Sequence, residues 1–164
     1  MALVIMAAAA VFGFAGEAEE EQPLTGHLVL ENVKTGETIT SYDMQVGDTF
    51  SIGFVHSVNK SPVTDYYEIR DDGIYVVKTI YYGFGAGVQT ELEEGQELTY
   101  GEDGSMIITG FDRRMDNLTY IVGTVSDHTL VLYPGEENEA SISLRDLCGR
   151  HAMVHFSWEP DPAT

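Results

Sequence analysis

The pattern that decides the fold is FVHSVNKSPVTDYY, residues 54–67, which reads as a strand, a polar loop and a second strand. The first strand begins before this stretch, at residue 49. Within it Phe50, Ile52 and Phe54 recur with a period of two, which predicts that these side chains point inward. By the same period, His56 lies on the inward face where that strand ends. The pattern therefore predicts a β-hairpin with polar side chains in its connecting loop.

Short alternating segments separated by turn residues continue on both sides of this hairpin. The motifs DDG at 71–73 and GEDG at 101–104 are typical of tight turns between antiparallel strands. After the N-terminal leader no segment keeps a helical period for long, and one helical turn is expected at 144–148. We therefore predict an all-β fold, an antiparallel β-sandwich or a partly closed barrel, with at most one short helix after the leader. The predicted strands are 27–33, 37–42, 49–55, 64–70, 74–82, 96–100, 105–109, 118–125, 129–133, 140–143 and 151–158.

The composition indicates one globular domain with a strongly acidic surface. The chain has 164 residues, 43% of them hydrophobic, which is enough to bury a proper core. Its 8 Lys and Arg residues against 27 Asp and Glu residues give a net charge of −19. This charge repels phosphate backbones and anionic head groups, so it argues against a nucleic-acid partner and against charge-driven membrane binding.

The N-terminus has the order of a secretory signal. The apolar run 1–14 is shorter than the roughly 20 residues that span a bilayer, and small residues and the acidic run 19–21 follow it. No Lys or Arg precedes the run; the alternative is a buried N-terminal helix, against which its lack of a polar face argues. We predict an exported, periplasmic or otherwise extracytoplasmic protein that touches the membrane only if the leader stays uncleaved. Residues 1–22 are then signal peptide and acidic linker, 23–159 a single β domain and 160–164 a tail.

Polar residues concentrate in the loop after the first strand of the hairpin, but they do not complete a catalytic set. His56 and Ser57 with Asp65 suggest a hydrolase, yet neighbouring residues on a strand point to opposite faces and no Gly-x-Ser-x-Gly elbow is present. We predict no catalytic residues, and a small hydrolase using His56 stays as the alternative. The five histidines are scattered along the chain, so neither a metal site nor a cofactor is predicted.

A glycine-rich stretch, YYGFGAG at 81–87, follows one strand later and is no dinucleotide fingerprint, since no helix follows it. Two interpretations stay open: a bulge or corner where two sheets meet, or a turn whose amides bind an anion. If the amides face Lys60 and His56, they complete a pocket for a small organic anion. If Asp65 neutralises Lys60 instead, the loop is a structural clasp. The predicted ligand-binding residues are His56, Ser57, Lys60, Asp65, Gly85, Ala86 and Gly87.

Two motifs, FxHSVxKxPVxD at 54–65 and FGAG at 84–87, resemble the signature of the bacterial domain-of-unknown-function 1850 family. The later segments YIVG at 120–123 and ISLxxL at 142–147 lie where that family has its closing strands, so the resemblance covers most of the chain after the leader. Asp65 departs from the pattern, because a longer Glu is expected there.

Since the family has no established activity, the resemblance implies where the protein is located and which proteins it is associated with, and it implies no particular reaction. It implies a small exported domain associated with a TRAP-type transporter of the TAXI class, with the permease or its solute-binding protein as partner. The function it implies is that of an accessory or small-anion-binding module. A purely structural or interaction domain is the remaining alternative.

Overall fold

A computed structural model describes residues 22–58, 60–83, 89, 91–123 and 125–162. The predicted leader and the predicted ligand-binding residues Gly85, Ala86 and Gly87 lie outside the described residues. The elements, in chain order, are β1 (Thr25–Asn32), β2 (Glu37–Gln45), β3 (Thr49–Val55), β4 (Pro62–Arg70), β5 (Gly73–Tyr81), β6 (Glu97–Tyr100), β7 (Met106–Arg114), β8 (Leu118–Ile121), β9 (Thr129–Leu132), β10 (Ala140–Ser143), α1 (Leu144–Cys148) and β11 (Met153–Pro160).

The strands form two antiparallel sheets that face each other across one core. The first sheet has the order β2-β1-β11-β8, and the second has the order β10-β9-β3-β4-β5-β7-β6. The prediction of an all-β fold with one short helix is confirmed. Of the two architectures that the sequence left open, the sandwich is the one observed, because the two sheets stay separate and do not close into a barrel.

Alternating apolar residues of both sheets meet in the core between them. Phe50 of β3 stacks on Phe156 of β11, with ring centroids 6.3 Å apart, and on Tyr67 of β4 at 5.1 Å. Burial of each such side chain stabilises the fold by roughly 1.5–3 kcal/mol. Trp158 packs against this core, whereas Phe54 is only partly buried. The fully buried residues of this core are Leu28, Leu30, Phe50, Ile52, Ile69, Val122, Leu130, Leu144, Val154 and Phe156.

The β3–β4 loop closes through its own backbone. The amide of His56 donates to the carbonyl of Ser61 over 2.9 Å, and the amide of Lys60 donates to the carbonyl of His56 over 3.0 Å. Pro62 begins β4 at a strand's first position, where the missing N–H is tolerated. These bonds place the loop's side chains at one end of the sandwich.

Among the described residues, no helix has the length and apolar character needed to cross a membrane.

Candidate functional site

A cavity of about 490 Å³ opens at the end of the sandwich where β3 enters its loop. We call it the histidine cavity. It brings together three of the residues that the sequence predicted to bind a ligand, His56, Ser57 and Lys60. The segment that follows β8 forms the opposite wall. The described lining residues are Phe54, Val55, His56, Ser57, Lys60, Ile121, Gly123, Val125, Ser126 and His128.

His56 is held by its own loop. Its Nδ1 accepts a hydrogen bond from the amide of Val58 over 3.3 Å, so the neutral ring carries its proton on Nε2. Lys60, four residues on, has a φ of 57°, which non-glycine residues seldom adopt. The loop therefore presents an imidazole donor and an ammonium group to the same cavity.

His128 is a second imidazole of this cavity, and it comes from a distant part of the chain. Its ring stacks on Phe54, with centroids 5.3 Å apart and planes at 13°. Its Nδ1 accepts a hydrogen bond from the amide of Gly123 over 3.1 Å, which places the proton of the neutral ring on Nε2. Burial lowers the pKa of His128 below its ordinary value and outweighs the opposing effect of Asp127. His128 is therefore a neutral hydrogen-bond donor at pH 7.

Asp127 fixes the segment that carries His128. Its carboxylate accepts hydrogen bonds from the amide of His128 over 2.7 Å, from the amide of Arg145 over 2.9 Å and from the hydroxyl of Ser143. Burial alone would raise the pKa of Asp127, but these hydrogen bonds outweigh it and lower the pKa. The ionised carboxylate thus ties one wall of the histidine cavity to the start of α1.

Asp65 lies in a different cavity, of about 310 Å³, which we call the aspartate cavity. Its carboxylate accepts a hydrogen bond from the hydroxyl of Thr79 and another from that of Tyr120, each over 2.8 Å. Since Tyr120 gives its proton to Asp65, the hydroxyl of Tyr67, 2.7 Å from that of Tyr120, is the donor in their shared bond. Between the described residues Asp65 and Lys60 there is no ion pair.

Burial makes the carboxyl of Asp65 a weaker acid than that of an ordinary aspartate. It raises the pKa of this carboxyl, while the hydrogen bonds from Thr79 and Tyr120 and the charge of Arg113 act in the opposite direction and only partly offset it. Burial also raises the pKa of both tyrosines well above the ordinary range, so they stay protonated donors. The group is a carboxyl held by neutral hydroxyls, and an opposite charge lies nearby.

Tyr120 lines the aspartate cavity and packs against two residues that line the histidine cavity. Its ring contacts Phe54 and His128 edge-on, with centroid distances of 5.9 and 5.7 Å, on the side of the histidine cavity. Its hydroxyl points to Asp65 on the other side. The other described residues that line the aspartate cavity are Tyr67, Val76, Thr79, Tyr81, Gln89, Phe111, Arg113, Met115, Asn117, Leu118 and Thr119.

Sequence reasoning missed His128, Tyr120 and Arg113. Nothing in the spacing of a single sequence connects these positions to His56 or to Asp65. Gly85, Ala86 and Gly87, which were predicted to face Lys60, lie outside the described residues, but Tyr81 and Gln89, on either side of them, line the aspartate cavity. In the part of the chain that the structure describes, no group of three or more His, Cys, Asp or Glu side chains is arranged to hold a metal ion.

The fold and these cavities define the class of protein, an antiparallel β-sandwich domain with two cavities lined in part by polar side chains. The family model for a domain of unknown function, DUF1850, matches residues 50–138, more than half of the chain. The chain therefore belongs to this family, as its motifs predicted, and the match includes His56, Lys60 and His128. No curated protein and no solved structure matches the chain.

Proposed function

We propose that the protein is an extracytoplasmic accessory domain that binds a small organic anion in the histidine cavity and serves a TRAP-type transporter of the TAXI class. One observation carries the binding proposal. Lys60, His56 and His128 converge on one cavity in a chain whose net charge is −19. An acidic surface repels anions elsewhere, so a cavity that gathers cationic and neutral donors is the place where an anion is best received.

The lining of the histidine cavity suits a carboxylate. Lys60 supplies the positive charge, and the Nε2–H group of His128 and the hydroxyls of Ser57 and Ser126 supply hydrogen bonds, beside the imidazole of His56. Phe54 and its apolar neighbours cover the hydrocarbon part of a ligand. A mostly apolar wall with a few placed polar groups is the usual composition of a small-molecule site.

Calorimetric titration with acetate, succinate and citrate tests the binding. We expect at least one of these anions to bind, and Lys60→Ala to weaken that binding about tenfold or more, because the ligand loses its charged partner. The matched control is Lys34→Ala, which removes the same charge from the exposed β1–β2 turn. Both substitutions lie on the surface, so we expect each to change the free energy of unfolding by less than about 0.5 kcal/mol.

Two outcomes would count against the anion site. In the first, none of the three anions binds the wild type and Lys60→Ala lowers the melting temperature, which is the behaviour of a structural clasp. In the second, an anion binds, but Lys60→Ala and Lys34→Ala reduce its affinity equally, so that only the net charge matters.

Export and the transporter partner are supported by the leader pattern and by the resemblance to the family. N-terminal sequencing of the protein recovered from cells tests export, and an intact Met1 in the cytosol would contradict it. For the partner, we expect the immobilised protein to bind the solute-binding protein encoded with a TAXI-type permease of the same genome. A solute-binding protein from another class of TRAP transporter is the control, and equal binding to both would exclude a specific partnership.

A further inference from the structure

We infer that the aspartate cavity is a second binding site, separate from the histidine cavity, and that it takes a free α-amino acid with an uncharged side chain. The ammonium group of the ligand would bind Asp65 and its carboxylate would bind Arg113. The inference goes beyond the anion site proposed above, and the described linings of the two cavities have no residue in common.

The first support is the unused capacity of the Asp65 carboxylate. Each of its two oxygens accepts one hydrogen bond from the described residues, from Thr79 at Oδ1 and from Tyr120 at Oδ2. A carboxylate has about four acceptor positions, so further donors can be received. The buried position favours a donor that also carries positive charge, because an ammonium group stabilises the ionised form that burial disfavours.

The second support is Arg113 at the same cavity. Its neighbour Arg114 is paired with Asp72 and Asp116 at 3.1 and 2.8 Å. Within the described residues, no carboxylate is close enough to Arg113 to form an ion pair, although the chain has 27 acidic residues. A guanidinium group binds a carboxylate through two parallel hydrogen bonds, which is the recognition that an amino acid offers.

The third support is that the fold brings both charges to one cavity. Asp65 of β4 lies opposite Thr79 of β5, and Arg113 of β7 lies opposite Val76, three residues before Thr79 on β5. The two residues are thus two strands apart and offset along the sheet, yet both line the aspartate cavity, and the charge of Arg113 acts on the carboxyl of Asp65. A ligand with one charge of each sign contacts both groups, whereas a simple cation or a simple anion satisfies only one of them.

The remaining lining fits an uncharged side chain. Val76, Phe111, Met115 and Leu118 contribute apolar surface, and Gln89 and Asn117 contribute neutral amides. A volume of about 310 Å³ is at the lower limit of the usual range for small-molecule sites, about 300–1,000 Å³, and therefore suits a ligand of amino-acid size.

Calorimetry on the whole protein tests the inference with a panel of glycine, alanine, serine, leucine and methionine. We expect at least one of them to bind. Its N-acetyl derivative, which lacks the ammonium group, and its amide, which lacks the carboxylate, should each bind about tenfold more weakly or not at all. Asp65→Asn and Arg113→Gln should each cause a loss of similar size, since each removes one of the two charged partners.

The controls separate this site from the histidine cavity and from misfolding. Arg150→Gln, at an exposed arginine elsewhere on the surface, should leave the binding unchanged, and so should Lys60→Ala. Arg113 is itself exposed, so its variant should keep the melting temperature of the wild type even if Asp65→Asn does not.

Four results would overturn the inference. They are binding of none of the five amino acids, equal binding of the amide and the parent amino acid, equal binding by Arg113→Gln and Arg150→Gln, and loss of binding in Lys60→Ala. The last result would place the ligand in the histidine cavity.

Discussion

The histidine cavity and the aspartate cavity are connected through the packing of Tyr120, yet they are built in different ways. Lys60 and the two imidazoles of the first cavity lie on loops, in segments where the chain turns between strands. Asp65, the two hydroxyl groups that bond it and the hydroxyl of Tyr67 behind Tyr120 all lie on strands, so ladder hydrogen bonds fix the backbone of each one. A polar group that is buried on a strand depends on partners from the protein, whereas one on a loop can keep contact with water.

This difference predicts which property a substitution changes in each cavity. A substitution of Asp65, Tyr67 or Tyr120, which are largely buried on strands, leaves donors or acceptors without partners, so its main effect is on stability. A substitution in the histidine cavity removes a group from a loop, so its main effect is on binding. Tyr120 lines the aspartate cavity and its ring packs on Phe54 and His128 of the histidine cavity, so it allows the comparison to be tested at one position.

The largest effect is expected for Tyr120→Ala. The substitution removes the ring that packs on Phe54, His128 and Phe156, together with the hydroxyl that binds Asp65. Truncation of a large aromatic side chain in a core costs about 3–5 kcal/mol. Urea unfolding measures this loss of free energy. The control is Tyr100→Ala on the edge strand β6, where the side chain is 63% exposed and a change below about 0.5 kcal/mol is expected. Similar losses of free energy in the two variants would show that the packing of Tyr120 does not stabilise the fold more than that of an exposed tyrosine.

Tyr120→Phe separates the ring from the hydroxyl. The ring still contacts Phe54 and His128, while Asp65 loses a donor and Tyr67 loses an acceptor. A buried polar group left without a partner costs about 1–3 kcal/mol. We expect a loss of that size in the same unfolding measurement, with anion binding in the histidine cavity unchanged. A variant as stable as the wild type would show that the hydroxyl of Tyr120 is not needed in the aspartate cavity. A variant that no longer binds the anion would show that this hydroxyl also affects the histidine cavity.

The alternation of apolar residues predicted most of the strands, because it depends only on local geometry. The first hairpin strand, Thr49–Val55, has the predicted bounds, and so do Ala140–Ser143 and the helical turn Leu144–Cys148. Other strands differ from the predicted bounds by one to three residues, and the two largest errors lie where a glycine redirects the chain. β7 continues to Arg114 past Gly110, whose φ is 77° and whose position leaves no room for a side chain beside the carbonyl of Gly95.

β8 shows the opposite error, because it ends at Ile121 while the apolar pattern continues to 125. Gly123 lies so close to the carbonyl of Ser126 that a Cβ atom there would be only 2.4 Å from its oxygen. Its amide donates to His128 instead of to a strand. The turn that ends β8 is therefore the same one that positions His128 in the histidine cavity.

The candidate site could be predicted only as far as it is local in sequence. His56, Ser57 and Lys60 belong to one short loop, and they do line one cavity. Asp65 is close to Lys60 in sequence, but its backbone pairs with that of Ile52, which faces the core, and its side chain bonds Tyr120 rather than Lys60. Strand pairing brings the distant residues together, and alternation does not tell which strands pair.

Acidification should destabilise the protein through the histidine cavity. Burial lowers the pKa of His128 in the folded state below its ordinary value of 6.5, so the unfolded state takes up this proton first as the pH falls. Its contribution to stability is present above pH 6.5 and is lost below it. His128→Asn keeps an acceptor for the amide of Gly123 but does not titrate. We expect the melting temperature of the wild type to fall more between pH 7.5 and pH 5 than that of this variant.

The control for this experiment is His151→Asn, which removes an exposed imidazole that lies outside the histidine cavity. It corrects for the replacement of one histidine by asparagine. If the His128→Asn and His151→Asn variants respond to pH alike, His128 is not the group whose burial matters.

The smallest effect and the opposite sign are expected in the aspartate cavity. Burial raises the pKa of Asp65 above its ordinary value of 3.8, and the hydrogen bonds from Thr79 and Tyr120 offset this only in part. The folded state therefore holds the proton more tightly than the unfolded state. The associated stability is fully present below pH 3.8 and is lost as the pH rises through the folded-state pKa. Asp65→Asn keeps one carbonyl acceptor and never ionises, so between pH 3.5 and pH 7 the wild type should lose stability relative to this variant. Asp71→Asn, in the exposed β4–β5 turn, corrects for the loss of one carboxylate. A relative gain of the wild type as the pH rises would mean that hydrogen bonds and Arg113 stabilise the ionised carboxylate more than burial disfavours it, and the contrast in sign between the two cavities would be lost.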